Sequence, residues 1–187
     1  MSPAQLDSLA LLFLNKRLAT HILDVISIFL ADPRPFLPPL IILWLYLFAK
    51  GNSTLRISLI ALVLVVGTTD ILSSHILKPL IGRARPCQLL MLRLPLECSA
   101  SFACPSSHAA NISAFAGFII ALRTRWAFFL IPLIIIVSLT RVYAGLHWPS
   151  DILLGWSVGF TMALLFYRGS RKLVELKERR REKRKAK

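Results

Sequence analysis

A chain of 187 residues that is 56% hydrophobic, with a mean hydropathy of +0.65, is too apolar for a soluble domain of its size. The net charge of +14 is concentrated in residues 168–187, where eleven Lys or Arg stand against three Glu. No aromatic side chain is interleaved with the last charges of that run, which argues against a nucleic-acid partner. The run reads instead as a cytoplasmic tail that sets topology and touches anionic lipid.

The first apolar stretch, 6–14, carries Asp7 where a signal peptide would have basic residues, and Asn15-Lys16-Arg17 follow it. It reads as a short helix lying on the membrane surface, so residues 1–17 form an N-terminal interfacial segment. Runs 18–31 and 36–49 are short and joined by the tight turn Asp32-Pro33-Arg34-Pro35. They fit either a re-entrant hairpin or two spans. Two spans are favoured, because six crossings place both termini on one face.

Runs 57–77, 107–122, 126–142 and 152–167 are the clearer spans, given that a helix needs roughly 20 residues to cross the bilayer core, fewer when polar ends are buried in protein. The expected fold is an all-α polytopic membrane bundle of about six transmembrane helices. It forms one domain, 1–187, with the bundle over 18–167 and the basic tail over 168–187. Under this arrangement Lys16, Arg17, Lys50, Arg56, Arg123, Arg125 and the tail are cytoplasmic. The Arg34 turn, the long 78–105 loop and the 145–149 loop face the opposite side.

Three polar clusters lie on that opposite face. Lys78 and Arg85 are seven residues apart, which returns both to one face after about two turns if the interval is helical. An ammonium and a guanidinium suit different oxygens of one phosphate. Pro105-Ser106-Ser107-His108 opens an apolar helix, whose first N–H groups form an anion site with His108 beside it. Arg141 ends one span, and His147 and Asp151 begin the next. A carboxylate on one imidazole nitrogen leaves the other free to attack. Each cluster alone has a bland reading as snorkelling cations, a helix cap or a capping Asp. Their convergence on one face is what points to chemistry.

Asp70, Ser74 and Lys78 follow at i, i+4, i+8. An Asp inside a span is costly, so Asp70 either supports Lys78 or a neighbouring polar group, or is satisfied by Thr or Ser hydroxyls for packing alone. All three cysteines, Cys87, Cys98 and Cys104, fall in the long loop. On an oxidising side a Cys87–Cys98 disulfide would close that loop between the first two clusters, three free thiols being the alternative. Their spacing fits no common zinc pattern.

The clusters resemble, in order, the tripartite signature of the type 2 phosphatidic-acid phosphatase and vanadium haloperoxidase superfamily: K-x6-RP at Lys78 to Pro86, PSGH at Pro105 to His108, and SR-x5-H-x3-D at Thr140 to Asp151. Ser107 stands where the family has Gly and Thr140 where it has Ser. Ser107 keeps its backbone N–H and Thr140 a hydroxyl. The resemblance implies a membrane lipid-phosphate phosphatase in which His147 attacks phosphorus, Asp151 orients it, and His108 protonates the leaving oxygen and then activates water. Lys78, Arg85, Ser106, the Ser107 amide and Arg141 would bind the phosphoryl oxygens, with Thr140 behind them and no metal or cofactor required; Asp70 lies outside the signature.

With the charge distribution, which puts both termini in the cytoplasm and the clusters on the other side, the resemblance implies a bacterial inner membrane with the site facing the periplasm or exterior. Undecaprenyl diphosphate is the first-ranked substrate. Phosphatidylglycerol phosphate, phosphatidic acid and the 1-phosphate of lipid A are alternatives. A vanadate haloperoxidase or a non-catalytic lipid transporter on the same scaffold are more distant ones.

Overall fold

The computed structural model describes residues 1–185, and these form helices and loops with no strand among them. In chain order the helices are α1 (Pro3–Leu12), α2 (His21–Ala31), α3 (Leu37–Lys50), α4 (Ser53–Ile71), α5 (Lys78–Ile81), α6 (Pro86–Leu89), α7 (Ser107–Leu122), α8 (Ala127–Tyr143) and α9 (Pro149–Lys185). Side-chain caps begin several of them: Ser2 and Gln5 close a reciprocal pair on α1, Thr20 caps α2, and Asn52 caps α4.

Helices α3, α4, α7, α8 and α9 run the length of the bundle. Their outward side chains are apolar and exposed, among them Ile42, Val63, Phe128, Ile136 and Leu165. The segments Ser53–Leu89, Thr124–Tyr143 and Pro149–Arg184 are long and apolar enough to cross a membrane, while α3 and α7 are shorter apolar helices. The chain is a multi-pass membrane protein. Lys50, Arg56, Arg123, Arg125 and the C-terminal part of α9 lie at one end, where Thr54, Leu122 and Arg171 border a common cleft. The three polar clusters lie at the other.

The N-terminal quarter departs from expectation. Helix α2 does not run down the bundle, because all its polar anchors are at the cluster end. Tyr143 Oη donates to the Thr20 carbonyl at 3.1 Å, Arg141 donates to the Ser27 carbonyl at 3.0 Å, and His108 lies 3.3 Å from the Ala31 carbonyl. Eleven residues rise about 16 Å, half the bilayer core. The 18–31 run is therefore not a span.

Helix α1 also sits at the cluster end, through Asp7 and Asn15. Lys16 and Arg17 are thus opposite the C-terminal tail, and the two termini leave from opposite ends rather than sharing one. The tail itself continues α9 without a break as far as Lys185. The last two residues of the 168–187 tail lie outside the described ones.

The interior packs in two tiers. Ala61, Val65, Ala114, Phe118 and Ala163 fill the middle of the bundle. Leu11, Ala103, Ala109, Val142, Trp148 and Ile152 form a floor beneath the clusters. Helices α7 and α9 approach closely because small residues face each other, as is common where lipid supplies no hydrophobic drive. A Cβ on Gly159 would sit 2.3 Å from the Ala110 carbonyl and 2.7 Å from Ser113 Cβ, and one on Gly155 would sit 2.7 Å from the Ser106 carbonyl.

That contact yields a test of the packing. Gly159→Ala should destabilise the bundle by about 1–3 kcal/mol through forced separation of the helices, read as a lower thermal-unfolding midpoint in detergent. Gly67→Ala, whose added methyl meets nothing within 4 Å, should leave the midpoint unchanged or raise it, the helix-propensity gain being at most about 1 kcal/mol. Equal midpoints for the two variants would contradict the packing described.

Candidate active site

The first cluster is shaped by two backbone events. Pro79 has no N–H to bond the carbonyl one turn back, and the helix accommodates it with a wide π turn over Leu72–Leu77. Gly82 then adopts φ 63° and ends α5. This left-handed conformation suits glycine and turns the chain back. The interval between Lys78 and Arg85 is therefore not a continuous helix, contrary to the two-turn expectation. The reversal, rather than helical periodicity, brings both side chains to one cleft.

That cleft has a volume of about 410 Å³ and is lined by Asp70, Ser74, Lys78, Arg85, Ser99, Ser101, Ser107, His108, Arg141, Leu146 and His147. Lys78, Arg85 and Arg141 are 7%, 5% and 2% exposed. Each donates to backbone carbonyls: Lys78 Nζ to Phe102 at 2.9 Å, Arg85 Nε to Ser101 at 2.8 Å, Arg85 Nη1 to Leu146 at 2.9 Å, and Arg141 Nη2 to Ser27 at 3.0 Å. Cys87 and Cys98 are joined in a disulfide, and Cys104 is free and buried. The bridged loop presents Ser99 and Ser101, and Arg85 Nη2 donates to Ser101 Oγ at 2.9 Å. Burial pushes the Cys104 thiol up to about 11, against the pull of Arg83 and Lys78, so it stays protonated.

His147 is held in the loop between α8 and α9. Gly145, at φ 73°, makes the turn possible, and the Arg141 carbonyl accepts from the Leu146 N–H at 3.1 Å. The imidazole Nε2 faces the cleft, 3.3 Å from Arg85 Nη1. A guanidinium cannot accept a hydrogen bond, so Nε2 carries the lone pair and the ring proton belongs on Nδ1. Nδ1 is buried, has no partner within hydrogen-bond distance, and lies 3.6 Å from Asp151 Oδ2. Burial pushes the His147 pKa down to about 4, with Arg85 and Lys78 adding to the shift and the Asp151 carboxylate opposing it. The ring is neutral at physiological pH.

Asp151 is fully buried behind His147, not in the cleft. Its Oδ2 accepts from the Trp148 N–H at 2.8 Å and its Oδ1 from Arg83 Nη1 at 2.8 Å. Ser106 is likewise buried and caps α7, accepting from the Ala109 N–H. The Ser107 hydroxyl faces the cleft and pairs with Ser74 Oγ at 2.9 Å. Thr140 Oγ1 accepts from Arg141 Nε and Nη2 at 3.3 and 3.2 Å, steadying that guanidinium.

Asp70 does not touch Lys78. It accepts from Asn111 Nδ2 at 2.8 Å and from Ser74 Oγ at 3.4 Å. Of its expected roles, the bond to a neighbouring polar group is the one present.

The sequence alone assigns no site role to Asn111, Arg83 or Asp7, the last standing out only as foreign to a signal peptide. Asn111 was findable as a polar residue one turn beyond Ser107 in an apolar helix. Arg83 was visible as a third cation inside the first cluster, but nothing local distinguished it from a snorkelling residue. Asp7 bonds Arg83 across 76 residues of chain, a pairing with no local signal.

The site can be compared with known proteins. The chain is 34% identical over 123 residues to the lipid A 4'-phosphatase of Bacteroides thetaiotaomicron, covering 62% of this chain and 55% of that protein. It is 33% identical over 99 residues to the lipid A 1-phosphatase of Rhizobium etli, covering 50% and 43%. It is 37% identical over 62 residues to the undecaprenyl-diphosphatase of Sulfolobus acidocaldarius, covering 33% and 30%. The chain thus spans about half the length, or less, of the curated relatives it matches.

In fold it is similar to the transmembrane phosphatidylglycerolphosphate phosphatase of Bacillus subtilis, with a TM-score of 0.69 and 21% identity, covering 92% of this chain and 88% of the other. It is also similar to LpxE of Aquifex aeolicus, with a TM-score of 0.64 and 20% identity, covering 87% and 95%. The model of the PAP2 superfamily matches residues 58–175, which hold all three clusters and the helices that carry them, and the chain belongs to that superfamily.

Proposed function

We propose that the protein is a lipid-phosphate phosphatase that hydrolyses a phosphate from a membrane lipid through a phosphohistidine on His147. The observation that carries this reading is the His147 imidazole, whose Nε2 lies 3.3 Å from Arg85 Nη1 in a cleft also lined by Lys78 and Arg141. An incoming phosphoryl group would take the donors now resting on backbone carbonyls, together with the Ser107 amide at the start of α7. Nε2 attacks phosphorus and the bond to the lipid oxygen breaks. His108, lining the same cleft, protonates that oxygen. It then takes a proton from the water that attacks the phosphohistidine, which releases phosphate and restores the ring. Asp151 stabilises the positive charge that develops on His147.

Positive charge supports an orientation with the site outward. Lys50, Arg56, Arg123, Arg125 and the basic end of α9 share the far end of the bundle, which would face the cytoplasm and anionic lipid. The N-terminus would then lie on the outer side of a bacterial inner membrane. Undecaprenyl diphosphate is our first substrate, since the compact outer loop carries no separate headgroup-binding domain. Lipid A phosphates are a second reading, favoured by the names of the Bacteroides and Rhizobium relatives.

Two measurements test this. Phosphate release from undecaprenyl diphosphate, lipid A, phosphatidic acid and phosphatidylglycerol phosphate, compared in one detergent, should favour the polyprenyl diphosphate. His147→Ala should lose about 10³-fold or more in kcat, and Arg141→Ala about 10²- to 10³-fold. Release from none of these lipids by the wild type, or undiminished release by His147→Ala, would overturn the reading. In ¹⁵N-histidine spectra, the His147 resonance, assigned through His147→Gln, should remain that of a neutral ring down to about pH 5, since its pKa is lowered to about 4. Titration near 6.5, the ordinary histidine value, would contradict the buried, neutral nucleophile.

A further inference from the structure

We propose that Arg83 is a positioning residue for the transfer step, and that helix α1 belongs to the same device through Asp7. The proposal rests on the reading of His147 as nucleophile. Arg83 stands behind the reacting groups rather than among those that line the cleft. Its Nη1 donates to Asp151 Oδ1 at 2.8 Å and to Ser150 Oγ at 2.6 Å, its Nη2 donates to Asp7 Oδ2 at 2.7 Å, and its guanidinium stacks over the Trp148 ring at 5.2 Å.

The reason such a residue is needed lies in Asp151. A fully buried carboxylate is costly to ionise unless it is paired and hydrogen-bonded. His147 is neutral at rest, and its Nδ1 is 3.6 Å away, so the resting imidazole does not supply that pairing. Arg83 does. It holds Oδ1 while the Trp148 N–H holds Oδ2, and between them they fix the angle at which the carboxylate meets the ring. As His147 becomes positive in the transfer step, an ionised and already oriented carboxylate is what lowers the barrier.

Helix α1 provides the second anchor. Along α1 and the wide turn that continues it through Phe13–Arg17, the buried stripe is Asp7, Leu11 and Asn15, whereas Leu6, Leu9 and Phe13 are exposed. A helix that merely rests on a bilayer turns its polar residues to water; this one turns Asp7 and Asn15 into the protein. Asp7 accepts from Arg83 and also from the Ser150 N–H at 2.9 Å and the Ser150 hydroxyl. It thereby fixes both the guanidinium and the first turn of α9, one residue from Asp151. Asn15 locks the far end, donating to the Arg93 and Tyr143 carbonyls at 2.7 and 2.8 Å.

The test uses the full chain in detergent, with undecaprenyl diphosphate and p-nitrophenyl phosphate as probes. Arg83→Ala should lower kcat about 10- to 100-fold, leave KM and the inhibition constant of inorganic phosphate within about twofold, and recover activity when guanidinium is added. Asp7→Asn should lower kcat less, and its loss should be smaller in the Arg83→Ala background than in the wild type, the remainder coming from its bonds to Ser150. Should Arg83→Ala not fold, Arg83→Lys carries the test: the charge remains but the multi-point grip is lost, so kcat should fall with KM unchanged.

Wild-type kcat in Arg83→Ala, additive losses with Asp7→Asn, or a loss that guanidinium does not relieve and that tracks a lower unfolding midpoint would overturn the proposal while leaving the phosphatase reading intact. A wild type that releases phosphate from neither probe would overturn that reading first, and this proposal with it.

Discussion

Three cations buried against carbonyl oxygens rather than carboxylates are the constraint on which the rest of this structure depends. Lys78, Arg85 and Arg141 are each less than a tenth exposed, and each is satisfied by the backbone of a loop or of α2. Burying charge without a counter-ion is costly, because dipoles replace only part of the lost hydration. The fold bears that cost at one end of the bundle, and an anion placed among the three would relieve it. The same field, together with burial, keeps His147 neutral, as the proposed nucleophile must be.

Much of the irregular backbone at this end makes sense as support for those cations. The bridged 87–98 loop carries the chain on to Ser101 and Phe102, whose carbonyls receive Arg85 and Lys78. Helix α2 supplies Ser27 for Arg141 and is itself tied down through Asp24 to Arg93 and Tyr143. Gly82 and Gly145 sit at the two points where the chain must reverse to bring Arg85 and His147 together. Behind them, close α7–α9 packing holds the start of one helix against the start of the other. There the Ser106 N–H donates to the Asp151 carbonyl at 3.1 Å.

The cleft residues were legible in the sequence because they are expensive. Cations, histidines and carboxylates at the ends of apolar runs demand a reason, and their order along the chain matched a known signature. Depth and direction were less legible. Asp151 and Ser106 belong to the signature yet lie behind the cleft, which spacing alone does not reveal. The 18–31 run was read as a span because an interfacial helix and a transmembrane one share an apolar composition. What separates them here is what Thr20, Ser27 and Ala31 touch, a tertiary matter. Arg83 and Asp7 escaped for a related reason: their meaning lies in a contact between distant parts of the chain.

The most direct test of the account is to trap the covalent intermediate. The protein would be quenched in alkali during turnover of a ³²P-labelled lipid phosphate, since phosphohistidine survives base, and the label mapped to a residue. The account predicts phosphate on Nε2 of His147 and none in His147→Ala. Label on His108, or steady phosphate release with no labelled protein under conditions where His108→Ala slows breakdown, would contradict it.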